Sequence, residues 1–289
     1  MMMMMMKNQI HRILMLILPC LLLVGCAASG GDSAIPPTNT VPLVTTLDDG
    51  VADSQVVPIR LQDGDAWLAL DTGAPFTFLF SDPAGPEYVE TAGTIEIGSE
   101  RRQVPGYRDE AIGVEMFQGK PIVGVLGLDF FLDVPAAIDY PGGCIVRYLD
   151  RELPASDRML LELPLRGREN DRALIDVVLD GIELTLMFDT GAHDTILIDV
   201  VGRAGDDVIQ VQTADGQRSD VYLGEAILSL PEEDPRVIVV LRAPDFPYIA
   251  PELREIGAHG LFGLTSLGWR RVVFDFEGGA LRLGPLGGE

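Results

Sequence analysis

Two separated stretches of this chain carry the same motifs in the same order. A chain built that way is constrained to fold as two copies of one unit, because whatever local structure suits the first copy suits the second. Leu68-Ala69-Leu70-Asp71-Thr72-Gly73-Ala74 returns as Leu186-Met187-Phe188-Asp189-Thr190-Gly191-Ala192, an offset of 118. Gly124-Val125-Leu126-Gly127-Leu128 returns as Gly260-Leu261-Phe262-Gly263-Leu264, and Ala137-Ile138-Asp139-Tyr140 as Val273-Phe274-Asp275-Phe276, both at an offset of 136. The second copy is therefore 18 residues longer between its first and second motifs, and this length is expected around Pro231 to Gly257.

The segments between motifs are short and β-branched or alternating. The 32 Gly and 20 Pro favour many short elements joined by turns, which points to an all-β fold. Asp63-Gly64 and Asp180-Gly181, each between apolar runs, read as hairpin turns leading into the strand that ends at Asp71 or Asp189. Short helices are expected after Gly127, after Gly263 and over Pro251 to Gly257. Val57-Pro58-Ile59-Arg60 echoes Leu163-Pro164-Leu165-Arg166 and sets the expected division: a first lobe over 53–152, a linker over 153–162 and a second lobe over 163–289.

Ahead of the lobes, Lys7 and Arg12 precede an apolar run, Ile13 to Val24, that is too short for a spanning helix and fits a signal-peptide core over 1–25. Leu23-Val24-Gly25-Cys26 resembles the bacterial lipobox, which implies lipidation of Cys26 and anchoring to the cell envelope, on the periplasmic face of the outer membrane. The competing reading is an ordinary secretory signal cleaved near Ala27 or Ala28 and a secreted product. Residues 26–52, rich in Gly, Ser, Thr, Pro and Asp, read as a flexible tether. With 44 acidic and 21 basic side chains the net charge is −23, which argues against nucleic acid as a partner and leaves the lipid as the only membrane attachment.

An Asp at the end of an apolar strand is a costly place for a carboxylate unless something holds it, and here the arrangement occurs twice. The two Asp-Thr-Gly-Ala segments, each followed by an apolar-apolar-Gly motif, resemble the aspartic proteases, both the bilobal pepsin type and the single-lobe retroviral type. That resemblance covers nearly all of residues 55–285. It implies a bilobal retropepsin-like fold of two β-barrel-like lobes, a monomer with internal pseudo-two-fold symmetry, and peptide-bond hydrolysis by Asp71 and Asp189. Two carboxylates within hydrogen-bond reach share one proton, so an ionised member can activate water while the protonated one donates to the scissile carbonyl. No metal and no cofactor are implied. Thr72 and Thr190 would bond across the axis, and Gly73 and Gly191 would let backbone amides approach the carboxylates.

The substrate would be a peptide or protein lying extended beneath hairpin flaps, with Ala92-Gly93 and Asp215-Gly216 as candidate tips. The chain departs from the retroviral pattern where an Arg after the second motif pairs with an Asp after the first. Leu128 and Leu264 occupy one position, Pro75 and His193 the other. Asp139 and Asp275, each before a Gly-Gly pair, read as structural turn residues, and His193 and His259 as ordinary loop residues. The divergence after Asp71 leaves open a catalytically inactive peptide-binding envelope lipoprotein of the same fold, or a structural envelope protein.

Overall fold

The computed structural model describes residues 38–48, 51–81, 88–108, 116–167, 171–212, 218–244, 246 and 249–286. Residues 1–25, where a signal peptide is expected, and Cys26, Asp215 and Gly216 lie outside these. Among the described residues the fold is all-β, with four helices of four to six residues. No described helix is long and apolar enough to cross a membrane.

In each half the strand leading to the Asp-Thr-Gly turn is the second arm of a hairpin; the loop is Asp180-Gly181 in the second half, as expected, but Gln62-Asp63 in the first, where Gly64 already pairs with Leu61. Val51–Leu61 pairs with Gly64–Leu70, and Leu174–Leu179 with Ile182–Phe188. The second-motif strand lies beside it: Lys120–Leu126 runs parallel to Gly64–Leu70, and Gly260–Phe262 parallel to Ile182–Phe188. The strand following each Asp-Thr-Gly turn, Phe78–Phe80 or Thr195–Ile198, covers the other edge in antiparallel sense. The second motif is thus wedged between the strands entering and leaving the Asp turn. That position explains its composition: Val125, Leu126, Leu261 and Phe262 are all buried, and Gly127 and Gly263 sit where a Cβ would strike backbone at 2.4 Å.

The halves join through a six-stranded run of sheet, in the order Thr38–Pro42, Cys144–Tyr148, Ala136–Asp139, Val272–Asp275, Ala280–Leu283 and Leu161–Arg166. At its centre Ala136 pairs with Phe274, Ala137 with Val273 and Ile138 with Val272. Since Val273 is the copy of Ala137, the pseudo-two-fold axis passes through that pair. Around it Phe131, Phe188 and Phe274 stack in one core, with ring centroids 5.1 and 5.3 Å from that of Phe274.

Three sequence expectations need correction. The stretch 26–52 is not tether throughout, because Thr38–Pro42 and Val44–Asp48 are strands and Val41 is fully buried. Val57-Pro58 is not the counterpart of Leu163-Pro164. The amide of Leu43 donates to the Gly143 carbonyl as that of Leu165 does to Gly279, both at 2.9 Å, so Val41-Pro42-Leu43 is the true copy of Leu163-Pro164-Leu165. The halves accordingly begin near residues 38 and 161, and the stretch 153–162 contains the helix Ala155–Arg158 and the start of a strand.

The 18 extra residues of the second half also fall elsewhere than expected. The offset between copies is 118 at Leu79/Leu197, 131 at Ile97/Leu228 and 136 at Gly106/Arg242. Thirteen of them therefore precede Leu228, where the strand Asp207–Gln212 is found, and five lie in the turn that follows it. The helix Ala250–Glu255 is present as expected but adds no net length.

Arg271 breaks the symmetry, since its counterpart is Pro135. It donates to Asp139 at 2.8 Å, to both carboxylate oxygens of Asp157 at 2.9 and 3.0 Å, and to the Tyr148 hydroxyl at 2.7 Å. Asp157 is 3% exposed, so losing the guanidinium leaves a buried carboxylate unpaired. Arg271→Ala is expected to lower unfolding free energy by about 2–4 kcal/mol, with Arg271→Lys recovering part of it, as read from urea-denaturation midpoints.

Candidate active site

The two Asp-Thr-Gly turns meet at the axis. Each is fixed first by its own backbone: the Asp71 amide donates to the Leu126 carbonyl at 3.0 Å and the Asp189 amide to Phe262 at 3.2 Å, which extends the parallel pairing into the turn. The carboxylates then fold back on their own loops. Asp71 Oδ1 accepts from the amides of Gly73 (2.9 Å) and Ala74 (3.2 Å), and Asp189 Oδ1 from Gly191 (2.8 Å).

The threonines lock the turns to each other. The Thr72 amide donates to Thr190 Oγ1 at 2.9 Å and the Thr190 amide to Thr72 Oγ1 at 3.0 Å; the Thr72 hydroxyl in turn donates to the Phe188 carbonyl at 3.2 Å. Both threonines are buried, so these bonds do not compete with water. The glycines allow the close approach. A Cβ on Gly73 would lie 2.7 Å from Asp189 Cγ, and one on Gly191 would lie 2.7 Å from Asp71 Cγ. Each carboxylate therefore packs against the glycine of the opposite turn, which only a residue without a side chain permits.

The result brings Asp71 and Asp189 into hydrogen-bond contact, each 7% exposed. Burial raises both carboxyls, since little solvent is left to stabilise charge. The neighbouring Asp189 charge and hydrogen bond push Asp71 well above its ordinary range. Asp189 is raised less, because the same hydrogen bond and the amides of Gly191, Gly73 and Ala192 favour its anion. The pair shares a proton and titrates as a unit. Chemically, such a pair offers one acid and one base a hydrogen bond apart, oriented by the amides of their own turns.

A supporting layer escaped the sequence reading. Thr77 and Thr195, again 118 apart, accept from the amides of Gly127 (3.1 Å) and Gly263 (3.3 Å) and so tie each second motif to the turn above it. Thr77 donates its hydroxyl to Asp129 at 2.7 Å. In the other half Thr195 bonds instead to Ser266 at 2.7 Å, and Thr265, the counterpart of Asp129, donates to Asp194 at 2.9 Å. The signal was the repeat itself: extending the 118 offset six residues past the Asp would have found the threonine pair. In place of the missing ion pair of the retroviral pattern, the amides of Leu128 and Leu264 bond to the carbonyls of Ala74 (2.8 Å) and Ala192 (3.0 Å).

Asp139 and Asp275 are turn residues, accepting from the amides of Gly142 (2.9 Å) and Gly278 (2.8 Å). Ala92 and Gly93 are not a hairpin tip. They lie within the strand Tyr88–Ile97, whose turn to Glu100–Tyr107 is made at Gly98-Ser99, with Gly98 at φ +57° and the Ser99 amide bonded to Asn39 Oδ1 at 3.0 Å. The strands Asp207–Gln212 and Arg218–Ser229 pair antiparallel, and Asp215 and Gly216, between them in sequence, lie outside the described residues.

No family model and no curated protein matches this chain. Among solved structures it is similar to basic 7S globulin from soybean, with a TM-score of 0.49 and 9% identity over 86% of this chain and 95% of that one. A likeness at that level carries no functional argument.

Burial that raises the Asp71 pKa also sets how stability depends on pH. Below the ordinary Asp range both folded and unfolded carboxyls are protonated and nothing is lost. As pH rises through that range and up to the raised native value, the unfolded chain ionises first and folding is progressively penalised. Asp71→Asn removes the penalty while keeping an Oδ1 acceptor. It is therefore expected to raise the melting temperature at pH 7 and to leave it nearly unchanged at about pH 3, as measured by calorimetry at both values.

Proposed function

We propose that the protein is an aspartic endopeptidase whose two homologous lobes, retropepsin-like in plan, each contribute one carboxylate. The observation that carries the reading is the hydrogen-bonded pair of Asp71 and Asp189, buried alike and held by reciprocal threonine bonds at a pseudo-two-fold axis. A structural role alone gives no reason to place two carboxyls together where both are costly to ionise.

The chemistry follows from the shared proton. A water held between the carboxyls gives a proton to the ionised member as its oxygen attacks the scissile carbonyl carbon, and the protonated member donates its own proton to the carbonyl oxygen. The tetrahedral diol collapses when the proton taken up from the water passes to the amide nitrogen and the C–N bond breaks. Returning the diol proton to the carboxylate that had donated restores the pair. No covalent intermediate with the protein arises. The amides of Gly73, Ala74 and Gly191 already point at the carboxylates before this exchange, which keeps the local field set for charge migration.

The substrate of this proposal is a peptide or protein in extended form, covered on one side by the hairpin of Asp207–Gln212 and Arg218–Ser229. The lipobox-like segment ending at Cys26 supports placing the enzyme at the bacterial cell envelope, held by lipid.

Asp71→Asn and Asp189→Asn are each expected to lower kcat for hydrolysis of a peptide mixture by about 10²–10⁴-fold with an unchanged near-ultraviolet dichroism spectrum. Activity of the parent protein is expected to fall on the alkaline side as the shared proton leaves the pair. Full hydrolysis by either variant would refute the reading. Unaltered peptide binding without any hydrolysis by the parent would replace it with the inactive peptide-binding lipoprotein.

A further inference from the structure

A cavity of about 540 Å³ is lined by Pro75, Phe76 and Tyr107 from the first half and by Arg172, Glu252, Glu255 and Ile256 from the second. Its walls are continuous with both Asp turns. Pro75 directly follows Ala74, whose amide holds Asp71, and Arg172 directly precedes Ala173, whose carbonyl accepts from the Phe188 amide at 2.7 Å, one residue before Asp189. An extended peptide crossing the carboxyl pair would therefore send a side chain into this cavity within a few residues of the bond at the pair.

The two walls differ in chemistry. On the first-half side Phe76 and Tyr107 lie 6.1 Å apart between ring centroids, backed by Phe78 at 5.7 Å from Tyr107, so flat aromatic surface is presented. On the second-half side Arg172 is largely buried and already committed. One terminal nitrogen is paired with Glu252 and the other donates to the Asp171 carbonyl at 3.0 Å. Glu255 stands three residues from Glu252, on the same face of the helix Ala250–Glu255, and has no ion-pair partner among the described residues. With Arg172 neutralised by Glu252, the wall keeps one negative charge within a protein of net charge −23.

We infer that this cavity is a specificity pocket for a basic side chain of the peptide, an arginine or lysine whose stem lies on Phe76 and Tyr107 and whose cation meets Glu255. Aromatic faces and a carboxylate both favour a cation, whereas an acidic side chain would meet Glu255 with like charge. The inference rests on the peptidase reading for the path of the substrate, and it adds the substrate class.

The test uses the full-length protein and one peptide in which arginine, norleucine or glutamate is placed in turn at each of the four positions on either side of the central bond. Hydrolysis by the parent is followed by mass spectrometry, and binding to the Asp189→Asn variant by fluorescence anisotropy. At one position arginine is expected to exceed norleucine by about two- to fivefold in kcat/KM and in affinity, the effect of one partly exposed ion pair. Glu255→Gln should abolish that preference and Glu255→Lys should turn it toward glutamate. Neither substitution touches the core, since Glu255 is exposed. Hydrolysis or binding with no preference for arginine at any position, or a preference that both Glu255 variants leave intact, overturns the pocket. Arginine-selective binding that depends on Glu255 without hydrolysis overturns the peptidase reading and leaves the pocket standing. Failure to bind or cleave any of the peptides overturns both.

Discussion

The reciprocal hydrogen bonds between Thr72 and Thr190 are the constraint on which the rest of this structure depends. Each amide needs a hydroxyl that only the other half supplies, and both groups are buried, so neither turn is satisfied without its copy. Once the threonines are fixed, the position of each Asp follows. Its amide is tied to the second motif of its own half, and its carboxylate to the glycine beside the threonine. The cost of burying two carboxyls side by side is thus borne by a backbone lattice that has no lower-energy way to separate them.

The same axis that passes between the threonines passes through the pairing of Ala137 with Val273, so the carboxyl pair and the central sheet are two levels of one symmetric stack. Phe188 connects them. Its carbonyl accepts from the Thr72 hydroxyl while its ring packs on Phe274, one residue along from the axial pair. Departures from symmetry collect away from this stack. Asp275 is paired with Arg282 from its own hairpin at 2.9 Å, whereas Asp139 relies on Arg271 from the opposite half. A guanidinium reaching across in one direction only is possible because the halves are covalently joined and need not be interchangeable.

What could be read in the sequence was whatever both copies must keep for the same physical reason. The Asp-Thr-Gly turns, the wedged apolar-apolar-Gly strands and the Asp turns before Gly-Gly each sit where a substitution would strike backbone or strand a buried polar group, so identity survives and the offsets of 118 and 136 are visible. The strand beginning each half was misread, because Val41-Pro42-Leu43 and Val57-Pro58-Ile59 are both an apolar residue, Pro and an apolar residue. Pattern alone does not say which of them hydrogen-bonds to a Gly-Gly turn. The hairpin assigned to Ala92-Gly93 failed for a related reason. Gly93 is placed within a strand where the pairing is irregular, a role glycine also fills, and the turn fell instead at Gly98, whose positive φ suits it.

The placement of the extra length makes the two halves unlike. The added residues supply the strand Asp207–Gln212 and a longer turn, so the second half carries an outer hairpin for which the first half has no counterpart among its described residues. The first half instead carries aromatic surface: Phe76, Phe78, Phe80, Tyr88 and Tyr107 form a continuous ladder with centroids 5.7–6.1 Å apart. In a symmetric pair of identical subunits, both walls of any cavity beside the carboxyls would be drawn from the same sequence, and neither could be aromatic without the other. Joining the halves in one chain removes that restriction. The turns around the axis stay alike because their reciprocal threonine bonds and glycine contacts require it, and the walls farther out are free to differ in charge, shape and length.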